Sequence, residues 1–187
     1  DSITYISLDE KSSALATQIL NLNINKSPIL IILPKGIEAI ISFFGVLKSG
    51  NFYTIIDENM PLERINKIIR TLCPALLITS KDLALNLDLL TIFIDDLSGF
   101  KPDQTILNSV KIIDTDLAYT LFTSGSTGEP KGVSISHKSL IDFTIACVND
   151  LAIDDSHVIA NQAPFYFDLS VFDIYVNLFA RATAHIL

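Results

Sequence analysis

Positive charge is scarce in this 187-residue sequence: 13 Lys and Arg stand against 21 Asp and Glu, for a net charge of -8. So acidic a chain lacks the basic footprint that holds nucleic acid or an anionic membrane. Both are excluded as general partners, and any phosphate site must be a local cluster. Cysteine is rarer still. Cys73 and Cys147 stand apart without metal-ligand spacing and predict reduced, partly buried thiols in a cytoplasmic protein, not a disulfide frame. His137, His157 and His185 are too scattered to suggest a metal centre. Long apolar runs are missing as well: the run at 29–33 is far too short to span a bilayer. No basic-then-apolar leader opens the sequence, which begins at Asp1 as a trimmed chain would. Repeats, low-complexity tracts and interdomain linkers are absent too, so one domain is expected.

What is abundant is apolar residues, at 49% with a mean hydropathy of +0.45, a level that suggests strands buried on both faces. Residues 3–8 read as a short strand or its approach, followed by a helix capped by Asp9 or Ser12 and carrying Leu15, Ile19 and Leu22 at helical spacing. Strands are expected at 29–33, 52–56, 76–79 and 91–94, with helices at 38–49, 62–72 and from about Lys81. Gly50 is placed to end the second of these helices. Alternation of this kind predicts βαβ units and an α/β fold with a mostly parallel sheet layered by helices. Further on, 95–108 reads as loop and 110–113 as a weak strand. Residues 137–151 suggest a helix, 158–161 a strand, 168–180 an apolar helix and 183–187 a strand.

The stretch Leu117-Ala-Tyr-Thr-Leu-Phe-Thr-Ser-Gly-Ser-Thr-Gly-Glu-Pro-Lys-Gly-Val-Ser-Ile-Ser136 carries the clearest chemistry. An apolar strand runs into hydroxyls and glycines, and a second strand of period two follows. Glycines let the backbone approach an anion with its N–H groups exposed, hydroxyls add donors without bulk, and a lysine adds a point charge. The P-loop pattern G-x-x-x-x-G-K-[ST] nearly fits from Gly125. However, Pro130 takes the place of its second glycine, Gly132 replaces the metal-binding hydroxyl, and a strand follows instead of a helix. The P-loop is therefore rejected. Read from the residues alone, Lys131 is either part of the cradle or a solvated loop charge, and the whole stretch is either a phosphate cradle or a polar hairpin turn.

The same residues resemble the phosphate-binding signature of adenylate-forming enzymes, [YF]-T-S-G-[ST]-T-G-x-P-K-G-V. A second resemblance runs through Leu47-Lys-Ser-Gly-Asn-Phe-Tyr53, Asp57, Pro61 and Glu63-Arg-Ile65, a motif of the amino-acid-activating branch; by itself it reads as an amphipathic helix entering a strand. The resemblance implies that residues 1–187 are the first part of the family's large N-terminal domain, ending before the adenine-binding motif and the small C-terminal subdomain. It implies ATP as substrate with magnesium, although no magnesium ligand can be assigned, and pyrophosphate held by Thr123, Ser124, Gly125, Ser126, Thr127, Gly128 and Lys131. The chemistry would be formation of an aminoacyl-adenylate, then transfer to a phosphopantetheinylated carrier protein.

In Phe165-Tyr-Phe-Asp-Leu-Ser-Val-Phe172, one acid, Asp168, lies among aromatics at a strand-to-helix junction. By composition it either caps the helix that follows or pairs with a cationic ligand. The resemblance favours the second: F-D-x-S supplies the aspartate that binds a substrate α-amino group, and Leu169 and Phe172 match positions that line the side-chain pocket. Leucine there hints at a small, alanine-like substrate. The pattern fits D-alanine–carrier-protein ligases and peptide synthetase adenylation domains alike. An acyl- or aryl-CoA ligase, and a non-catalytic half of a split synthetase, remain alternatives.

Overall fold

The structure, a computed structural model, describes residues 1–83, 87–124 and 129–187. Its centre is β1 (Pro28–Ile32), an uninterrupted apolar strand paired in parallel on one side with β2 (Phe52–Ile56) and on the other with β3 (Leu76–Thr79). Beyond β3 lies β4 (Thr91–Phe93), also parallel. Beyond β2 come β5 (Leu117–Ser124), parallel, and β6 (Pro130–Ser136), antiparallel to β5. The order is therefore β4-β3-β1-β2-β5-β6. Side chains alternate between two buried faces, as a parallel sheet covered on both sides requires. Ile29, Ile31, Tyr53, Ile55, Leu76 and Ile78 share one core with α1 (Tyr5–Asn21) and α2 (Ile37–Lys48). Leu30, Ile32, Ile56 and Leu77 meet Ile65 and Ile68 of α3 (Leu62–Leu72) on the other.

Two glycines set the helix layer. At Gly45 of α2 an added Cβ would stand 2.6 Å from Leu15 Cδ2, so the two helices approach through the missing side chain. Gly50 closes the turn after α2 at φ +74°, the left-handed conformation glycine adopts without strain, as its position in the sequence suggested.

The α/β architecture and its mostly parallel sheet agree with the sequence expectation, but several elements differ. Residues 3–8 are not a strand. Helix α1 already begins at Tyr5, capped by Thr4, whose hydroxyl accepts from the Ser7 amide at 3.2 Å. Asp9 and Ser12 are instead partners of Lys48, at 2.6 and 2.8 Å from its Nζ. Packing of Leu8 into the core and the reach of the Tyr5 hydroxyl to the Asn177 and Ala182 carbonyls favour helix here over the local β propensity. The expected helix at Lys81 is a single 3₁₀ turn (Lys81–Leu83), and residues 84–86 lie outside the described residues.

Within the supposed loop, α4 (Gln104–Asn108) forms because Asp103 accepts from the Thr105 and Ile106 amides. The weak strand at 110–113 has no ladder. Ile113 is exposed, and its amide donates to the Asp116 carboxylate. Cys73 is exposed, not partly buried, because it ends α3 in a left-handed turn at φ 50°.

Helix α5 (His137–Asp150) follows β6, with Ser136 as its cap. β7 (Val158–Asn161) and β8 (Thr183–Ile186) form a separate parallel pair. Between them the apolar helix is broken into α6 (Leu169–Val171), a wide π turn (Phe172–Val176) and α7 (Asn177–Ala180). No helix among the described residues is long and apolar enough to cross a membrane.

Candidate functional site

Two neighbouring strands send their chains away in opposite directions. From β2 the chain passes through α3 and back across β1 to β3; from β5 it turns outward to β6. Such a switch leaves a crevice at the strands' carboxyl ends, where open α/β sheets bind ligands. A cleft of about 780 Å³ lies there. Its wall takes Ile55, Ile56 and Asp57 from the end of β2, Pro61 and Arg64 from the start of α3, and Tyr119, Leu121, Phe122 and Thr123 from β5. The 162–168 segment adds Tyr166, Phe167 and Asp168.

β5 reaches this cleft with Thr123. Register pairs Thr123 with Lys131 and Ser124 with Pro130, the two strand ends that flank the expected phosphate cradle. Thr123 lines the cleft, and its hydroxyl donates to the Lys131 carbonyl at 3.4 Å, a weak bond. Lys131 is exposed opposite it. Gly125, Ser126, Thr127 and Gly128 lie outside the described residues. On the far side, Glu129 reaches Lys67 of α3 at 3.2 Å, which ties that end of the cradle to the helix under the sheet. β6 leaves the cradle as a strand, in keeping with rejection of the P-loop.

Asp168 does not cap the helix that follows it. Its backbone is already helical (φ -60°, ψ -28°) and its side chain accepts nothing from the first turn. The cap reading is thereby overturned. Ser170 closes this turn instead, its hydroxyl donating to the carbonyls of Phe167 at 2.7 Å and Phe165 at 3.1 Å. Among the described residues Asp168 has no ion pair. Its charge is felt across the cleft: burial first, and then Asp168, push the Tyr119 hydroxyl up to about 12. Leu169 is 71% exposed and Phe172 half-buried; neither contributes to the wall of this cleft.

Behind Tyr119 of the cleft wall lies a buried aromatic cluster, with Tyr53 at 5.8 Å from Tyr119 between ring centroids. Tyr53 stacks on Phe43 at 4.5 Å between centroids, and its hydroxyl pairs with that of Tyr175 at 2.8 Å in full burial. Burial raises both hydroxyls well above the usual tyrosine range. Phe165 meets Phe43 edge-on at 5.6 Å, which fixes the start of the aromatic segment that carries Asp168.

Sequence reasoning assigned no chemistry to the motif around Asp57, Pro61 and Arg64, yet the structure brings all three to the cleft wall. Among the described residues Arg64 is the one cation on that wall, which also carries the acids Asp57 and Asp168. The available signal was topological: these residues follow directly on the carboxyl end of a central strand. His137 has the structural place expected of it, at the start of α5, with its amide donating to the Asp116 carbonyl. No group of three His, Cys, Asp or Glu side chains converges among the described residues. No step below passes through a metal.

Comparison with known proteins adds the following. The model of the AMP-binding enzyme family matches residues 1–187. A D-alanine–D-alanyl carrier protein ligase of Listeria welshimeri is 37% identical over 97% of the chain and 37% of the relative. One from Staphylococcus haemolyticus is 35% identical over 100% of the chain and 38% of its own length. The chain thus spans a little over a third of the curated relatives it matches. Among solved structures, a four-domain nonribosomal peptide synthetase bound to AMP and glycine superposes with a TM-score of 0.88 at 22% identity, covering 99% of this chain and 14% of that one. A fatty acyl-adenylate ligase of Legionella pneumophila, in complex with acyl adenylate and pyrophosphate, gives 0.85 at 22% identity, covering 100% and 34%.

Proposed function

The chain belongs to the AMP-binding enzyme family, and from that premise we propose that it serves ATP-dependent activation of an amino acid. The amino-acid carboxylate attacks the α-phosphorus of ATP, the bond to the bridging oxygen breaks, and pyrophosphate leaves. The aminoacyl group then passes from the adenylate to the phosphopantetheine thiol of a carrier protein. One observation carries the reading: Asp168, an acid that makes no helix-cap bond, and Thr123, at the mouth of the stretch read as a phosphate cradle, line the same cleft.

The chemistry asked of this chain is positional and electrostatic. Thr123 and Lys131, with Ser124, Gly125, Ser126, Thr127 and Gly128, would hold the β- and γ-phosphates, so that charge developing on the leaving group meets fixed donors. Asp168 would pair with the substrate ammonium, a charge-assisted contact. The printed name of the relatives makes D-alanine the first amino acid to test; Leu169 and Phe172, expected from the resemblance to meet the substrate's side chain, lie outside the wall of this cleft. Magnesium would arrive with ATP. We place this chemistry in the cytoplasm, where ATP is available.

The test is amino-acid-dependent pyrophosphate–ATP exchange in the full-length polypeptide that carries these residues. Exchange with D-alanine or another small amino acid is expected. Exchange supported only by carboxylates without an amino group removes the role of Asp168. Residues 1–187 alone are expected to exchange poorly, and a rate like that of a complete ligase would refute this.

A second reading rests on a different observation. Ile141, Phe143 and Ile145 of α5, with Val158 of β7, are exposed apolar side chains. They suit a chain that acts as one half of a split synthetase by docking on a partner. Sedimentation of the isolated chain as a monomer that needs no partner for solubility counts against it.

A further inference from the structure

The segment 162–168 brings Tyr166, Phe167 and Asp168 to the cleft without belonging to any strand or helix, so something other than a ladder must fix it. Its beginning is gripped from the sheet. Lys35, just beyond the carboxyl end of β1, directs its ammonium at the carbonyls of Asn161 (3.1 Å) and Gln162 (3.2 Å). Asp57 and Glu58 line the same small hollow as Lys35, about 220 Å³ against Pro164, Phe165 and Tyr166. Lys35 nonetheless forms no ion pair with either and donates to main-chain oxygen instead. The helical stretch that follows the segment is tied back to the residue just before it. Asn161, 1% exposed, donates from Nδ2 to Asp173 Oδ2 at 2.7 Å, and Asn177 binds the Asp173 carbonyl in the π turn.

We propose that Lys35, together with the Asn161–Asp173 pair, is the mount that holds Asp168 at its distance from the cradle, which makes Lys35 a positioning residue for the amino-acid subsite. This rests on the reading of Asp168 as the ammonium partner. The physical reason is conformational entropy. Seven irregular residues sample many backbone states, and an acid that wanders cannot present one geometry to an ammonium. An ammonium held by two carbonyls fixes the start of that segment, and a carboxylate held by a buried amide ties the helical stretch after it to the same place. β1 lies at the centre of the sheet with Ile29 to Ile32 fully buried, so Lys35 anchors the segment to the core of the fold.

The test uses Lys35→Met, Lys35→Arg, Asp173→Ala and Asp168→Asn in the full-length polypeptide, with two readouts. The first is the KM for amino acid and for ATP in pyrophosphate exchange; the second is hydrogen exchange of the amides at 163–168 against those of β1 to β3. Lys35→Met is expected to raise the amino-acid KM about tenfold, the scale of one charge-assisted bond, with the ATP KM unchanged. It should speed exchange at 163–168 while β1 to β3 stay protected. Lys35→Arg should recover most of both effects, and Asp173→Ala should act in the same direction as Lys35→Met.

Unchanged KM and unchanged exchange in Lys35→Met, with Asp168→Asn still raising the amino-acid KM, overturn the mount and leave the role of Asp168 standing. Faster exchange spread over the whole sheet also overturns it, since the lysine would then be merely structural. If Asp168→Asn leaves the amino-acid KM unaltered, the ammonium reading fails and hydrogen exchange alone decides whether the mount exists. Should Lys35→Met not fold, Asp173→Ala decides by the same two readouts.

Discussion

Replacing Asp168 by alanine separates the two roles open to this acid, because they predict opposite patterns of loss. A side chain that caps a helix is worth about 1 kcal/mol of stability over alanine. Asp168 accepts no bond from the first turn of α6 and is exposed, so Asp168→Ala should leave the unfolding free energy of residues 1–187 within about 0.5 kcal/mol of the parent. Substrate binding should suffer instead. A charge-assisted contact contributes about 1.5–3 kcal/mol net, so the amino-acid KM should rise roughly ten- to a hundredfold while the ATP KM holds. A third reading is independent of both. Removing the negative charge relieves the second-ranked cause of the raised Tyr119 pKa, after burial, so that hydroxyl should ionise at lower pH than in the parent, where it stands at about 12. Urea melts, exchange kinetics and the ultraviolet absorbance of tyrosinate measure the three. A stability loss near 1 kcal/mol with unchanged KM would refute the argument and restore the cap.

Strands β1, β2 and β3 were legible in the sequence because burial on both faces leaves them as continuous apolar runs that no other element of that length explains. Helix α3 was equally plain, since Ile65 and Ile68 recur at helical spacing on an otherwise polar surface. The start of α1 was not. Thr4, Tyr5 and Ile6 favour strand locally, and the helix depends on Leu8 meeting the core and on the Tyr5 hydroxyl reaching a carbonyl 172 residues away. The break in the last apolar helix was equally hidden, because it depends on Asn177 binding the Asp173 carbonyl. For the site, residue types disclosed the cradle, but only topology could reveal that Arg64 and Asp57 share a wall with Asp168. Lys35 carried no signal at all: a lysine after a strand reads as solvated, and what it holds comes from residues more than 120 positions later.

Three further outcomes test the packing under the cleft. Gly45→Ala should destabilise by about 1–3 kcal/mol through overpacking, with an unchanged denaturant slope, because fully buried Leu15 cannot retreat from a Cβ at 2.6 Å. Helix propensity alone predicts a gain of about 1 kcal/mol, so a more stable variant would show that α1 and α2 do not meet there. Alkaline pH should unfold the chain earlier than its net charge alone would. Tyr53, Tyr119 and Tyr175 all have raised pKa values, so their contribution is intact below about pH 10, the unfolded value, and is lost as pH climbs through the folded values, Tyr119 at about 12. Urea melts that do not change between pH 9 and 11 would contradict this. Last, Tyr53→Phe leaves the buried Tyr175 hydroxyl without its partner at 2.8 Å and should cost about 1–3 kcal/mol, the desolvation of one unpaired group. Adding Tyr175→Phe removes the orphan, so the double variant should regain most of that loss; simple additivity of the two losses would mean that the hydroxyls do not depend on each other.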